Sequence, residues 1–225
     1  MLNFTTDISK IGGWLTETEA RFLYGCAKKL SQDSLIIEIG SWKGRSTICF
    51  GKGAKDGNGA KIYAIDPHTG SSEQRRWYGK VNTYDEFIKN IKTADVDKYI
   101  VPIRKTSVDA AKEFRWFVDF VFIDGAHEYE FVKKDYDSWF PKLKSGGIIA
   151  FHDCWHAPGV HFLTAIILLT SSRVRLPKLI DTLTVMEKVE KNTAGERIGN
   201  LTFIIYRLLF GWIGTLKMDY TGTVK

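Results

Sequence analysis

The sequence has little cysteine. Cys26, Cys49 and Cys154 are odd in number and far apart among 225 residues. That excludes a disulfide framework, and without a Cys-x-x-Cys pair it excludes a zinc knuckle too. The expected compartment is a reducing one, the cytoplasm. There is no Lys/Arg block, although the net charge is +6. The basic residues are scattered and no nucleic-acid reader motif is present, so the charge is compatible with anionic partners and names none of them. The first ten residues, MLNFTTDISK, carry acidic and polar groups where an export signal would be apolar. No apolar run is long enough to span a bilayer. HFLTAIILLT, residues 161–170, is short, and LTFIIYRLLFGWIG, residues 201–214, is broken by Arg207. The latter reads as a buried strand with a helical or loop tail rather than an interfacial patch. Finally, no Gly-x-Gly-x-x-Gly occurs, which disfavours a dinucleotide-dependent oxidoreductase.

What is present suits one sizeable domain: 44% hydrophobic residues against 26% charged. Short apolar runs alternate with helical patterns. SLIIEIG, KIYAID, YIVPIR, VDFVFID and GGIIAFHD read as strands, with Pro102 placing the third at an edge. TETEARFLYGCAKKL, STICFGKGAK, TYDEFIKNIK, SVDAAKEF, EYEFVKKDYDSWFPKL and GVHFLTAIILLTS read as helices. Such alternation predicts an α/β fold with a mostly parallel sheet. Near-continuous apolar strands are those buried on both faces, with helices on each. Residues 1–32 form an N-terminal helical segment, 33–170 a core, and 171–225 C-terminal strands and a tail. In that last part LTVMEKV and LTFIIYR are the expected strands.

In open α/β sheets ligands bind outside the carboxyl ends of the strands. Those ends are polar here. The first carries Glu38, Gly40, Ser41, Trp42 and Gly44, and the second Asp66 and His68. The third leads to Ser107, the fourth ends in Asp124 with His127 after it, and the fifth ends in His152 and Asp153. Gly40 allows a sharp turn and close approach of a ligand, and Gly44 opens a helix. A carboxylate at the second strand end can accept both hydroxyls of a ribose.

In this order IIEIGSWKGRST, IYAIDPH, TSVDAA, VDFVFIDGAHEYE and GGIIAFHD resemble class I S-adenosylmethionine-dependent methyltransferases. The nearest likeness is to the branch with macrocin-type sugar O-methyltransferases and cephalosporin hydroxylase-like proteins, over roughly residues 33–170. The resemblance implies a Rossmann-like seven-stranded sheet with its last strand inserted antiparallel. It implies S-adenosyl-L-methionine as cofactor. Glu38, Gly40 and Ser41 would line its methionine part, Asp66 and His68 its ribose, and Ser107 its adenine. Trp42 would cover the cofactor or pack under the loop.

The implied reaction is methyl transfer to a hydroxyl of a small-molecule acceptor, a sugar or glycan among the candidates. Such a hydroxyl is weakly acidic, so a base or a divalent cation helps. His127, expected one turn into the next helix, is the candidate base, with Asp124 beside it. Asp124, His152 and Asp153 are the candidate metal ligands, for Mg or Mn. In the relatives the fifth-strand pair is two acidic residues. An imidazole there shifts preference toward a transition metal or leaves the site without one. The segment 68–84, with Arg75, Arg76 and Trp77, reads as either a mobile lid or a solvated loop. A catalytically silent nucleoside-binding module and a nucleotide-dependent oxidoreductase stay as alternatives, and a homo-oligomer stays open.

Overall fold

A computed structural model describes residues 8–215. Seven strands form one sheet: β1 (Leu35–Ile39), β2 (Lys61–Ile65), β3 (Ile100–Ile103), β4 (Val118–Ile123), β5 (Leu143–Phe151), β6 (Val174–Ile180) and β7 (Leu183–Lys188). Their order is β3-β2-β1-β4-β5-β7-β6. β1 to β5 are parallel, and β7 runs antiparallel to both β5 and β6. β3 is an edge strand, which suits Pro102, since its missing N–H leaves no gap inside the sheet.

The helices are α1 (Glu17–Lys29), α2 (Arg45–Asp56), α3 (Ser72–Tyr78), α4 (Tyr84–Thr93), α5 (Ser107–Glu113), α6 (Tyr129–Trp139), α7 (Pro158–Thr170) and α8 (Ala194–Thr215). Side chains alternate across a strand, so the two faces bury different residues. Ile36, Ile62, Phe120 and Phe122 pack with Leu23 of α1, Phe50 of α2 and Phe87 of α4. Ile37, Ile65, Val121 and Ile149 pack with Ala111 of α5, Trp139 of α6 and Leu163 of α7. Both faces are covered, hence the near-continuous apolar runs.

Three expectations need correction. LTFIIYR is not a strand; it is the middle of α8. Among the described side chains of α8 the buried positions are Asn200 and Arg207, with Phe203 and Ile204 packed on the core between them, which is a helical period. Asn200 donates to the Val174 carbonyl, and Arg207 to Thr164 and Thr184 hydroxyls and the His161 carbonyl. β-branched composition favoured a strand, but these tertiary contacts decide. The strand beside β7 is instead VRLPKLI, which becomes β6. The segment 68–84 contains a helix, α3, closed by a capping box between Ser71 and Gln74. Residues 216–225 of the unassigned tail lie outside the described residues.

Candidate active site

β1 ends against β4. Gly40 has φ +88°, donates to the Ile65 carbonyl at 2.9 Å, and would place a Cβ 2.1 Å from the Asp124 carbonyl oxygen. Only glycine fits, and this contact brings the loop after β1 onto Asp124. Asp66 accepts from the backbone N–H of Trp42 at 2.8 Å and of His68 at 2.6 Å. A carboxylate offers about four acceptor positions, so two more stay open on Asp66.

Two cavities flank this loop. One of about 490 Å³ is lined by Asp66, Thr106, Ser107, Val108 and Asp135, among others. The other, about 200 Å³, is lined by Trp14, Trp42, Arg45, Trp77, His127 and Asp153, among others. Gly40, Trp42, Asp124 and Gly125 belong to both walls. Thus the structure gathers Gly40, Ser41, Trp42, Asp66, Ser107, Asp124, His127 and Asp153 around one mouth.

Glu38, Gly44 and His68 line neither cavity. Gly44 caps α2 with φ +93°. His68, at φ +58°, turns its ring inward, 2.9 Å from the Thr83 hydroxyl and against Tyr84 and Phe87. Burial lowers its pKa despite the nearby Asp66 charge, so it sits as a neutral packing group.

Glu38 is fully buried behind the loop, accepting from Ser46 at 2.6 Å and Thr47 at 2.5 Å. Burial pushes its carboxyl up to about 8 against those two hydrogen bonds, helped by the Asp124 and Asp66 charges. The folded protein therefore keeps a proton that the unfolded chain loses near the usual 4.5. This contribution is full below that pH and is lost as pH rises to about 8. Glu38→Gln mimics the protonated form. Chemical denaturation at pH 5 and pH 8.5 should find the variant equal to wild type at the lower pH. At the higher pH it should be more stable by a margin on the order of a few kcal/mol. Parallel pH profiles for the two proteins would refute a protonated Glu38.

The wall of the larger cavity holds a residue that sequence reasoning missed. Asp135 falls between Val132 and Trp139 on the buried stripe of α6. Burial pushes it up to about 6, with Ser107 as its hydrogen-bond partner. The Ser107 hydroxyl also accepts from the Trp139 indole at 2.9 Å. An acid on an apolar helical stripe was the available signal.

At the ends of β4 and β5 the groups are charged. The His152 ring is almost wholly buried, with Nε2 3.3 Å from Glu19 Oε2. Nδ1 lies 3.1 Å from both Asp124 Oδ1 and Asp153 Oδ2, yet neither oxygen completes a hydrogen bond with it. Burial disfavours a charged imidazole, but Asp124 and Asp153 raise its pKa well above the usual value. Burial likewise raises Asp124, while His152 and His127 outweigh burial and hold Asp153 well below the carboxylate range. His127 Nε2 lies 3.3 Å from Asp153 Oδ2. His127 sits in the loop before α6, which begins only at Tyr129, rather than a turn inside the helix.

Asp124, His152 and Asp153 each offer one donor atom, all within 4.8 Å of one another. Glu19, Asp124 and Asp153 surround one buried ring, and a positive charge balances them, either a protonated His152 or a bound cation in place of its proton. An unpartnered Nδ1 facing two carboxylates fits a divalent ion with mixed nitrogen and oxygen ligands.

The sequence profile of the family described as Methyltransferase domain matches residues 37–154. An uncharacterised protein of Sinorhizobium fredii is 30% identical over 120 residues, which are 52% of this chain and 13% of that protein. An uncharacterised protein of Acanthamoeba polyphaga mimivirus is 29% identical over 135 residues, 58% of this chain and 57% of that one. The chain thus spans less than two thirds of either relative. Among solved structures, an O-methyltransferase from Bacillus cereus in complex with SAH matches with TM-score 0.60 at 16% identity, covering 83% of this chain and 88% of that one. The O-methyltransferase TomG from Streptomyces achromogenes, in complex with SAM, matches at 0.56 and 14%, covering 78% and 82%. An rRNA methylase from Streptococcus thermophilus matches at 0.55 and 12%, covering 80% and 100%, so the fold alone does not choose the acceptor. With the profile match spanning β1 to the end of β5, the chain belongs to the methyltransferase-domain family and has the class I S-adenosylmethionine-dependent methyltransferase fold.

Proposed function

We propose that the chain is an S-adenosylmethionine-dependent O-methyltransferase acting on a hydroxyl of a sugar or a sugar-bearing small molecule. The observation that carries this reading is the meeting of the two cavities at Gly40, Asp124 and Gly125. A nucleoside side with Asp66 opens there onto a second side with His127 and Asp153.

The two open acceptor positions of Asp66 take the ribose hydroxyls, and Ser107, Val108 and Asp135 meet the base. Ser41 Oγ is buried without a hydrogen-bond partner beside the mouth. It is a ready contact for the polar methionine end. The cofactor supplies an electrophilic methyl on its sulfonium. The chain's task is to set the acceptor oxygen in line and to take its proton. Asp153 accepts one ring N–H of His127, leaving the other nitrogen basic. The acceptor proton goes to that nitrogen as the O–C bond forms and the C–S bond breaks. Asp124, Asp153 and His152 would hold a divalent ion, Mg or Mn, which as a Lewis acid would make the hydroxyl more acidic.

A sugar acceptor is supported by the second cavity. Trp14, Trp42 and Trp77 offer indole faces, beside polar Ser71, Gln74 and His156. Apolar faces with a few convergent polar groups suit a ring that is greasy on one side and hydroxylated at its rim. The free cysteines support a reducing, cytoplasmic setting. Among the described residues no helix is long and apolar enough to cross a membrane.

The test is calorimetric titration with S-adenosylmethionine, followed by S-adenosylhomocysteine release with a panel of glycosides. Binding without turnover on any hydroxyl would reduce the chain to a cofactor-binding module. With an active acceptor, His127→Ala should lower kcat by about 10²- to 10⁴-fold and leave cofactor affinity unchanged. Wild-type turnover in that variant would remove His127 as base.

A further inference from the structure

Glu19 comes from α1, far from the strand ends in sequence, yet it is fully buried against them. Its Oε1 accepts from the backbone N–H of Thr182 at 2.8 Å and from the Thr182 hydroxyl at 2.6 Å. Its Oε2 accepts from the Thr16 backbone N–H at 2.9 Å and faces His152 Nε2 at 3.3 Å. Three donors besides the imidazole hold this carboxylate in place and keep it an acceptor.

That fixes the chemistry of the ring. A carboxylate can only accept, so Nε2 carries the hydrogen. A cation at the site would take the place of the second ring proton, and the lone pair of Nδ1 would then be directed at it. Nδ1 is buried, has no hydrogen-bond partner, and lies at equal 3.1 Å distances from Asp124 and Asp153. Two carboxylate oxygens and Nδ1 converge on the same space, within 4.8 Å of one another. A carboxylate behind a ligating histidine is the usual way to orient such a ring and raise its basicity. A nitrogen ligand in turn disfavours Mg²⁺, which prefers oxygen, relative to first-row transition cations.

We propose that Glu19 is a positioning residue for a divalent-cation site formed by Asp124, Asp153 and Nδ1 of His152, and that this site prefers Mn²⁺ to Mg²⁺. The inference rests on the metal part of the proposed function and does not need its acceptor. Through Glu19 the N-terminal helix becomes part of the site, beside the Gly12–Leu15 segment that lines the second cavity.

The experiment uses the whole chain, stripped with a chelator and titrated with Mn²⁺ followed by electron paramagnetic resonance, with Mg²⁺ as competitor. One Mn²⁺ per chain is expected. A nitrogen coupling should appear in its pulsed spectrum, and Mg²⁺ should displace it only at tenfold or greater excess. Glu19→Gln should weaken Mn²⁺ binding by about 10- to 100-fold, with a smaller change for Mg²⁺. His152→Asp should erase the nitrogen coupling and bring the two ions to similar affinity, and in that background Glu19→Gln should add no further loss. Circular dichroism checks that each variant folds. If Glu19→Gln fails to fold, the His152→Asp comparison and the wild-type spectrum still decide. No Mn²⁺ bound by folded wild type, equal affinity for both ions, or a bound ion without nitrogen coupling would overturn the proposal. S-adenosylmethionine titration of the same samples reports separately on the methyltransferase reading.

Discussion

Asp66→Ala is expected to cost S-adenosylmethionine affinity on the order of 10²- to 10³-fold. Each hydrogen bond from a ribose hydroxyl to a charged carboxylate is worth about 1.5–3 kcal/mol, and two are lost together. The same side chain also receives the Trp42 and His68 backbone N–H groups. Truncation therefore leaves two donors without their acceptor and loosens the loop that separates the cavities. Asp66→Asn sharpens the test. Both carboxylate oxygens face a backbone N–H, so the amide nitrogen must oppose one of them whichever way it turns. The asparagine variant should consequently bind nearly as poorly as the alanine one, although it is almost isosteric. Calorimetry on samples with native circular dichroism makes the comparison. Affinity within a few-fold of wild type in Asp66→Ala would remove the ribose assignment.

The mouth could be read from sequence because its parts lie where the chain itself changes character. β1, β2, β4 and β5 are β-branched and aromatic runs, and each ends abruptly in Gly, Asp or His, so strand and site are written in adjacent residues. Other parts are set only by folding. Glu19 meets His152 across 133 positions, and nothing in TETEARF distinguishes an acid bound for the interior from one facing water. Glu19 is also the N3 residue of a capping box with Thr16 at the start of α1. Trp14 reaches the second cavity from a segment without any period. Asp135 was visible only as a misplaced charge on an apolar stripe. His68 failed in the other direction. It follows Asp66-Pro67 where a ligand contact was expected, but its positive φ turns the ring into the core. In α8 the residues of LTFIIYR that favour strands are held helical by Asn200 and Arg207, whose partners lie on α7, β6 and β7.

Gly40→Ala should be the most damaging single change, and Gly44→Ala shows why. Both positions have positive φ, near +88° and +93°, a penalty of roughly 1–2 kcal/mol for alanine. Their surroundings differ. At Gly44 the nearest atoms are side-chain carbons, Phe87 Cδ2 at 3.2 Å and Ile91 Cγ2 at 3.5 Å, which can yield. At Gly40 every near atom is backbone of the facing strand end: Asp124 O at 2.1 Å, Asp124 C at 2.6 Å and Gly125 Cα at 2.9 Å. Relief requires β1 and β4 to part, at the one place where Asp124 N–H donates to the Ile39 carbonyl at 2.8 Å. The expected loss of stability is about 4 kcal/mol or more, against about 1–3 for Gly44→Ala. Any Gly40→Ala protein that does fold should bind S-adenosylmethionine poorly, because the walls shared by the two cavities have moved apart. Urea unfolding of the two variants side by side, with cofactor titration of the folded fractions, is the measurement. Equal stability for the pair would mean that β1 and β4 do not approach as closely as described, and the shared mouth on which the proposed methyl transfer depends would be lost with that contact.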